Sequence, residues 1–331
     1  MDIAIATLTS PIVLFFALGL FAALLRSPMS IPESFAKGLA VYLMMAIGLK
    51  GGVAMSQAEI TPTVVLTMVA GVALSFLIPV IAYAGLRLTS KLAPTDAAAA
   101  AAHYGSISIV TFVAGTEAVR LSGLNPGGHM VAVAALMEAP AILTALWLAH
   151  RGTRRGVPAR AEGHVEGSER GEVLREVLLN ASIVVLIGAL AIGWVAGEAG
   201  TARIQPFFGD LFQGVLCLFL LDMGLAAGRG LREGWRQLEG TVIAFGVWMP
   251  LVSAILAALS ARLIGLETAD AALLIVLSAS ASYIAVPAAM RLALPRARPS
   301  VYLTLSLGVS FPFNVTLGLP LYIALAQWVT G

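Results

Sequence analysis

The chain has 331 residues, of which 59% are hydrophobic and 11% charged, with a net charge of +2 and a mean hydropathy of +0.92. Soluble domains carry about a quarter charged residues, so this composition excludes a water-soluble fold and makes the bilayer the solvent. A single cysteine, Cys217, rules out an intrachain disulfide or a cysteine-rich metal site, and it sits as a small apolar side chain in a hydrophobic segment.

Segments of about 20 apolar residues cross a hydrocarbon core of roughly 30 Å as helices, the form that satisfies every backbone polar group internally. Ten are predicted, at about 8–25, 33–52, 63–86, 96–118, 129–150, 173–196, 206–228, 240–263, 269–292 and 300–328. Asp2 and the absence of Lys or Arg before the first one argue against a cleaved basic signal, so that segment is expected to stay. The fourth carries HYGSIS at 103–108 and the fifth Glu138 and Thr144. A polar stretch from His150 to about Glu172, rich in Arg, Glu and Gly, divides the chain into residues 1–150, a linker at 151–172, and residues 173–331. In the second part, the seventh segment carries Asp222, the ninth SASASYIAVP at 278–287, and the tenth Asn314 and Thr316 beyond Pro312.

Lys and Arg set the orientation. The connections after the odd-numbered segments hold 16 of the 20 basic residues, leaving Lys50, Arg120, Arg203 and Arg262 on the other side. That split predicts a cytoplasmic 151–172 linker, able to meet anionic lipid headgroups, and both termini outside.

The two parts resemble each other. Asp96 with Ser106 and Ser108 is matched 174 residues later by Asp270 with Ser280 and Ser282. LMMAIGLKGG at 43–52 resembles FLLDMGLAAG at 219–228, and TVV at 63–65 resembles TVI at 241–243. Five segments in each unit put the second upside down relative to the first, the inverted repeat of many secondary transporters, whose sites lie near the midplane between repeats. The predicted fold is an all-α membrane protein of ten transmembrane helices in a 5+5 inverted repeat with two broken, crossing helices.

Gly105 and Pro287 are the expected breaks. A broken helix presents unpaired N–H groups and about half a positive charge at the start of its second half. Two such ends converging favour an anion, and the hydroxyls of Ser106, Ser108, Ser280 and Ser282 offer hard oxygens to sodium. Against this, membrane serines often bond back to their own helix or serve close packing; five in two matched clusters favour a site. Glu138 costs about 2.5–3.5 kcal/mol at mid-membrane and needs a partner or a proton: it is a sodium ligand, a proton carrier, or a neutral acid bonded between helices. Asp222 is expected to be a coupling-ion ligand or a gating group, and His103, on the face of Ser106, a gating or coupling residue. Asn314 and Thr316 are expected to line the same cavity as Glu138 and Thr144. No phosphate-binding glycine loop or nucleophile elbow occurs, which argues against nucleotide-driven pumping and enzymatic chemistry; no cofactor and no nucleic-acid partner are expected.

IPES at 31–34 with IGLKGG at 47–52, YGSIS at 104–108, MEAP at 137–140, the serine run at 278–282 and the close from Pro299 to Gly331 together resemble the cyanobacterial-type sodium-dependent bicarbonate transporter family. The resemblance covers nearly the whole chain. It implies a homotrimeric, multi-pass carrier of the bacterial inner membrane, in which a core domain moves against a gate domain and bicarbonate lies between the crossing broken helices. Carried over, the anion site is Gly105, Ser106, Ser108, Ser280 and Ser282, with Tyr283 beside it, and sodium falls to Thr111 and Glu138, joined by Ser278 and Asn314. Two departures stand out: Tyr283 offers a neutral phenol where well-known members have an Asp, and the linker, where their regulator of the PII type would act, is shorter. Other readings are a sodium- or proton-coupled carrier of a small organic anion, with Tyr283 and Phe313 lining a more apolar pocket, an anion channel, or a non-transporting sensor.

Overall fold

Prolines and hydroxyls set where the helices begin. In the computed structural model, which describes residues 9–57, 61–154, 181–234, 238–283, 286, 287, 290, 294 and 296–331, Ser10 caps α1 (Pro11–Leu24) by accepting from the Val13 amide. α2 (Glu33–Gln57) follows, and Thr61 caps α3 (Pro62–Thr89) in the same way. Proline suits these first turns because its missing N–H would have no partner there. Next come α4 (Pro94–Gly105), α5 (Ile109–Leu121), α6 (His129–Leu136) and α7 (Glu138–Arg154). Beyond them lie α8 (Ala181–Thr201), α9 (Phe212–Gly234), α10 (Gly240–Ile264) and α11 (Thr268–Ala279). The last helix, α12 (Pro299–Thr330), contains wider π-type turns at Thr304–Ser310 and Asn314–Gly318 on either side of Pro312.

Among the described residues, seven helical stretches are long and apolar enough to cross a membrane: α2, α3, the α4–α5 pair, α8, α9, α10 and α12. Three predicted segments come out shorter. α1 has 14 residues and α11 has 12, about 21 and 18 Å at 1.5 Å per residue, and the fifth is broken at Met137 into α6 and α7. The sixth runs past its predicted end to Thr201, across Gly197 at φ 60°. Most of the 151–172 linker lies outside the described residues.

The helices pack as two groups. Lipid is as apolar as leucine, so helices in a bilayer associate through close packing of small residues. The glycines of the two similar strings serve this end: a Cβ on Gly52 of α2 would lie 2.1 Å from the Leu190 carbonyl oxygen of α8, and one on Gly224 of α9 would lie 2.1 Å from the Phe16 carbonyl oxygen of α1. Gly48 and Gly228 repeat these contacts one turn away. Thus α2 lies backbone to backbone on α8, and α9 on α1, with Leu14, Leu18 and Phe21 of α1 facing outward. The remaining helices surround α4 and α5, which are buried over most of their length. Gly224→Leu is expected to force α1 from α9 and lower stability by about 3 kcal/mol; an unchanged thermal midpoint in detergent would show that these backbones do not touch.

Candidate functional site

Both predicted broken segments are interrupted, and the interruptions meet. α4 ends at Gly105, and the chain is extended at Ser106 (φ −90°, ψ 143°) and Ser108 (φ −97°, ψ 110°) before α5 resumes. α11 ends at Ala279, with Ser280 extended (φ −74°, ψ 160°). The Ser282 amide donates to the His103 carbonyl at 2.7 Å, and the Ser108 amide donates to Ser280 Oγ at 2.9 Å. The two extended pieces therefore cross and bond to each other.

Two carboxylates show that the helices approach from opposite faces. Asp96, in the first turn of α4, accepts the Arg298 backbone N–H and Nε at 2.8 Å each. Asp270, in the first turn of α11, accepts the Gly127 amide at 2.7 Å, with His129 Nε2 at 3.5 Å. Gly127 follows the end of α5, so α11 starts on the side where α5 finishes, and α4 starts on the other. The repeated aspartates thus clasp the loops that open α12 and α6.

The second break falls at Ser280, ahead of Pro287, where it was expected. Val286 and Pro287 are already helical, and proline is tolerated in a first turn. Ser280 ends α11 instead: its hydroxyl donates to the Leu277 carbonyl at 2.7 Å while accepting from Ser108, the local side-chain bonding that competes with a helix.

Gly105 has a packing reason that its spacing did not reveal. A Cβ there would lie 2.1 Å from Pro79 Cγ of α3 and 2.8 Å from Ala141 Cβ of α7. Its carbonyl accepts from Ser75 of α3 at 2.9 Å, and the same hydroxyl reaches the Met137 carbonyl at 2.6 Å. Ser75 thereby joins the end of α4 to the kink that precedes Glu138, which is buried in the first turn of α7. Neither Ser75 nor Ser253, 178 residues later, was singled out from the sequence, although TVV and TVI show the same offset. Ser253 is buried in α10 and its hydroxyl has no partner among the described residues.

The polar side chains fall into two kinds. Some are occupied. Ser108 Oγ caps α5 by accepting the Thr111 amide at 3.2 Å. Asn314 donates to the Ala279 carbonyl at the end of α11 at 3.0 Å and accepts from the Tyr322 hydroxyl of its own helix at 2.6 Å, so both its polar atoms are occupied. Thr144 and Thr316 bond back to Pro140 and Pro312 in their own helices. Others are buried without a hydrogen-bond partner among the described residues: Ser106 Oγ, Thr111 Oγ1, Ser278 Oγ and His103 Nε2. Each such group costs about 1–3 kcal/mol unless a ligand or ion meets it. His103 Nδ1 lies 2.7 Å from the Ala99 carbonyl; a carbonyl only accepts, so Nδ1 carries the proton and Nε2 is an acceptor.

The crossover thus gathers Gly105, Ser106, Ser108, Thr111, Ser278, Ser280, Ser282 and Tyr283. Glu138 joins through Ser75 and Asn314 through Ala279. The Tyr283 hydroxyl faces Ser108 and lies within electrostatic reach of Asp222 on α9. The aromatic neighbour of Tyr283 is Phe311, at 5.0 Å edge to face, rather than Phe313, and Phe16 of α1 meets the same ring at 5.3 Å. Asp222 and Phe16 belong to the α1–α2–α8–α9 group, so the site lies where the two groups meet.

No curated protein matches the chain. The model of one protein family, described as the Na+-dependent bicarbonate transporter superfamily, matches residues 11–327, which takes in every residue of the crossover and both helix groups. The chain belongs to the Na+-dependent bicarbonate transporter superfamily.

Proposed function

We propose that the protein is a secondary transporter that brings bicarbonate into the cell together with sodium, by alternating access at the crossover. The observation that carries this reading is the set of buried, unpartnered hydroxyls of Ser106, Thr111 and Ser278 beside the crossed segments. Hard oxygens left without hydrogen bonds suit a sodium ion, and Glu138 supplies the negative charge nearby. The start of α5 suits the anion: the amides of Ile109 and Val110 open the helix, where no carbonyl one turn earlier is available within it, and the macrodipole adds about half a positive charge.

Coupling follows from the membrane potential. An entering anion is opposed by about 2.3 kcal/mol per 100 mV, and one sodium ion per bicarbonate makes the step electrically neutral. The gate is α1, α2, α8 and α9, locked together by glycine contacts, and the core is the remainder. Phe16 and Asp222 are the gate residues at the site. We read the chain as ten spans in two inverted units of five, with both termini outside and the linker in the cytoplasm. The Asp96 and Asp270 clasps and the paired glycine contacts of α2 and α9 support this symmetry.

Uptake of labelled bicarbonate into proteoliposomes is expected only with an inward sodium gradient; equal uptake after sodium is replaced by potassium would refute the coupling. The Phe16–Phe311–Tyr283 cluster favours, as a second reading, a small organic anion with an apolar end. Competition by acetate at concentrations where bicarbonate is not limiting would select that reading.

A further inference from the structure

On the face opposite the arginine-rich linker the loops assign four cations, and two of them, Lys50 and Arg120, line one cleft of about 50 Å³. The cleft opens between the two helix groups. Lys50 comes from α2 and Phe212 from α9, while Phe112, Glu117 and Arg120 come from α5. Phe112 lies one turn beyond the cap Ser108, so the cleft reaches along α5 from about 18 Å to about 6 Å from the crossover at 1.5 Å per residue. It lies on the line of α5 between that face and the site.

Two cations and one carboxylate line it. Lys50 Nζ sits 4.4 Å over the centre of the Phe212 ring, and it lies in the field of Arg120, Glu117 and Asp210. Glu117 is only 7% exposed, and its carboxylate accepts a hydrogen bond from Gln213 of α9. A carboxylate thus lines the same cleft as the two cations, between apolar walls that focus the field. That group and bicarbonate present the same charged pair of oxygens.

We propose that Lys50 and Arg120 form an anion-capture site ahead of the crossover, which takes a small, singly charged oxyanion and is filled by the Glu117 carboxylate when no anion is present. The proposal rests on the transport reading of the crossover. An arriving oxyanion displaces Glu117 from the cations, and the Glu117–Gln213 bond, which ties α5 to α9 across the mouth, loosens in the same step. Capture and separation of the two helix groups are therefore linked.

The test is the rate of reductive methylation of Lys50 in the full-length protein, read by peptide mass spectrometry in bicarbonate and in chloride at equal ionic strength. Bicarbonate is expected to slow the reaction at least about threefold relative to chloride in the wild type and equally in the Ser106→Ala/Ser278→Ala protein. Arg120→Gln should abolish the protection, and Arg120→Lys, which keeps the charge, should retain part of it. No protection in the wild type overturns the proposal. So does protection that disappears with the crossover serines, which would mean that Lys50 only senses occupancy below it. Protection without any sodium-driven uptake would refute the transport reading and leave the capture site standing.

Discussion

Replacing Ser106 and Ser278 together with alanine is expected to abolish bicarbonate uptake while the protein still elutes as a folded assembly. Their hydroxyls bond to nothing among the described residues, so removing them breaks no contact seen there and relieves two unsatisfied buried groups. If each is a ligand worth about 1.4 kcal/mol, the loss is roughly tenfold apiece and about a hundredfold together. Ser280→Ala should behave in the opposite way. Its hydroxyl receives the Ser108 amide, and without it that buried N–H is orphaned at a cost of about 1–3 kcal/mol of stability. Uptake under a sodium gradient, set beside thermal midpoints in detergent, separates the two kinds of serine. A Ser106→Ala/Ser278→Ala protein that transports normally but melts early would reverse the assignment.

Gly105→Ala is the second large effect. The new methyl would sit 2.1 and 2.4 Å from Pro79 Cγ and Cδ and 2.8 Å from Ala141 Cβ, and a proline ring inside a helix cannot turn aside. Overpacking of this kind costs about 3 kcal/mol, and here it would push α4 away from α3 and strain the Ser75 bonds to Gly105 and Met137. The expected result is loss of folded protein, or a lowered midpoint with no uptake. Pro79→Ala in the same chain should restore part of the stability, because residues in contact do not add independently. If Gly105→Ala is fully stable and active, α4 does not lie against Pro79.

The crossover was legible because polar residues are costly in an apolar segment, and HYGSIS and SASASYIAVP stand out against their surroundings. Its second break was placed at Pro287 because proline is the strongest single helix breaker, whereas the Ser280 hydroxyl, bonded to both Leu277 and Ser108, ends α11 first. The glycine strings were visible as internal similarity but not as contacts, since nothing in a run such as GLKGG names the helix that it touches. Ser75 was hidden for a related reason: its partners are backbone carbonyls 30 and 62 residues away, and a lone serine in α3 looks like any packing residue. Asn314, read from the sequence as a cavity and sodium residue, has its amide committed to Ala279 and Tyr322. The short α1 and α11 look like full spans in the sequence because hydropathy continues through the residues where the helix has stopped.

Titration calorimetry of the purified protein with bicarbonate, in sodium and in potassium, for the wild type and for Ser106→Ala/Ser278→Ala, bears most directly on a sodium-assisted anion site at the crossed segments. Saturable bicarbonate binding in sodium, weakened about tenfold or more in potassium and lost in the double variant, is the expected result. Binding of equal strength in both salts, or undiminished in the variant, would contradict it.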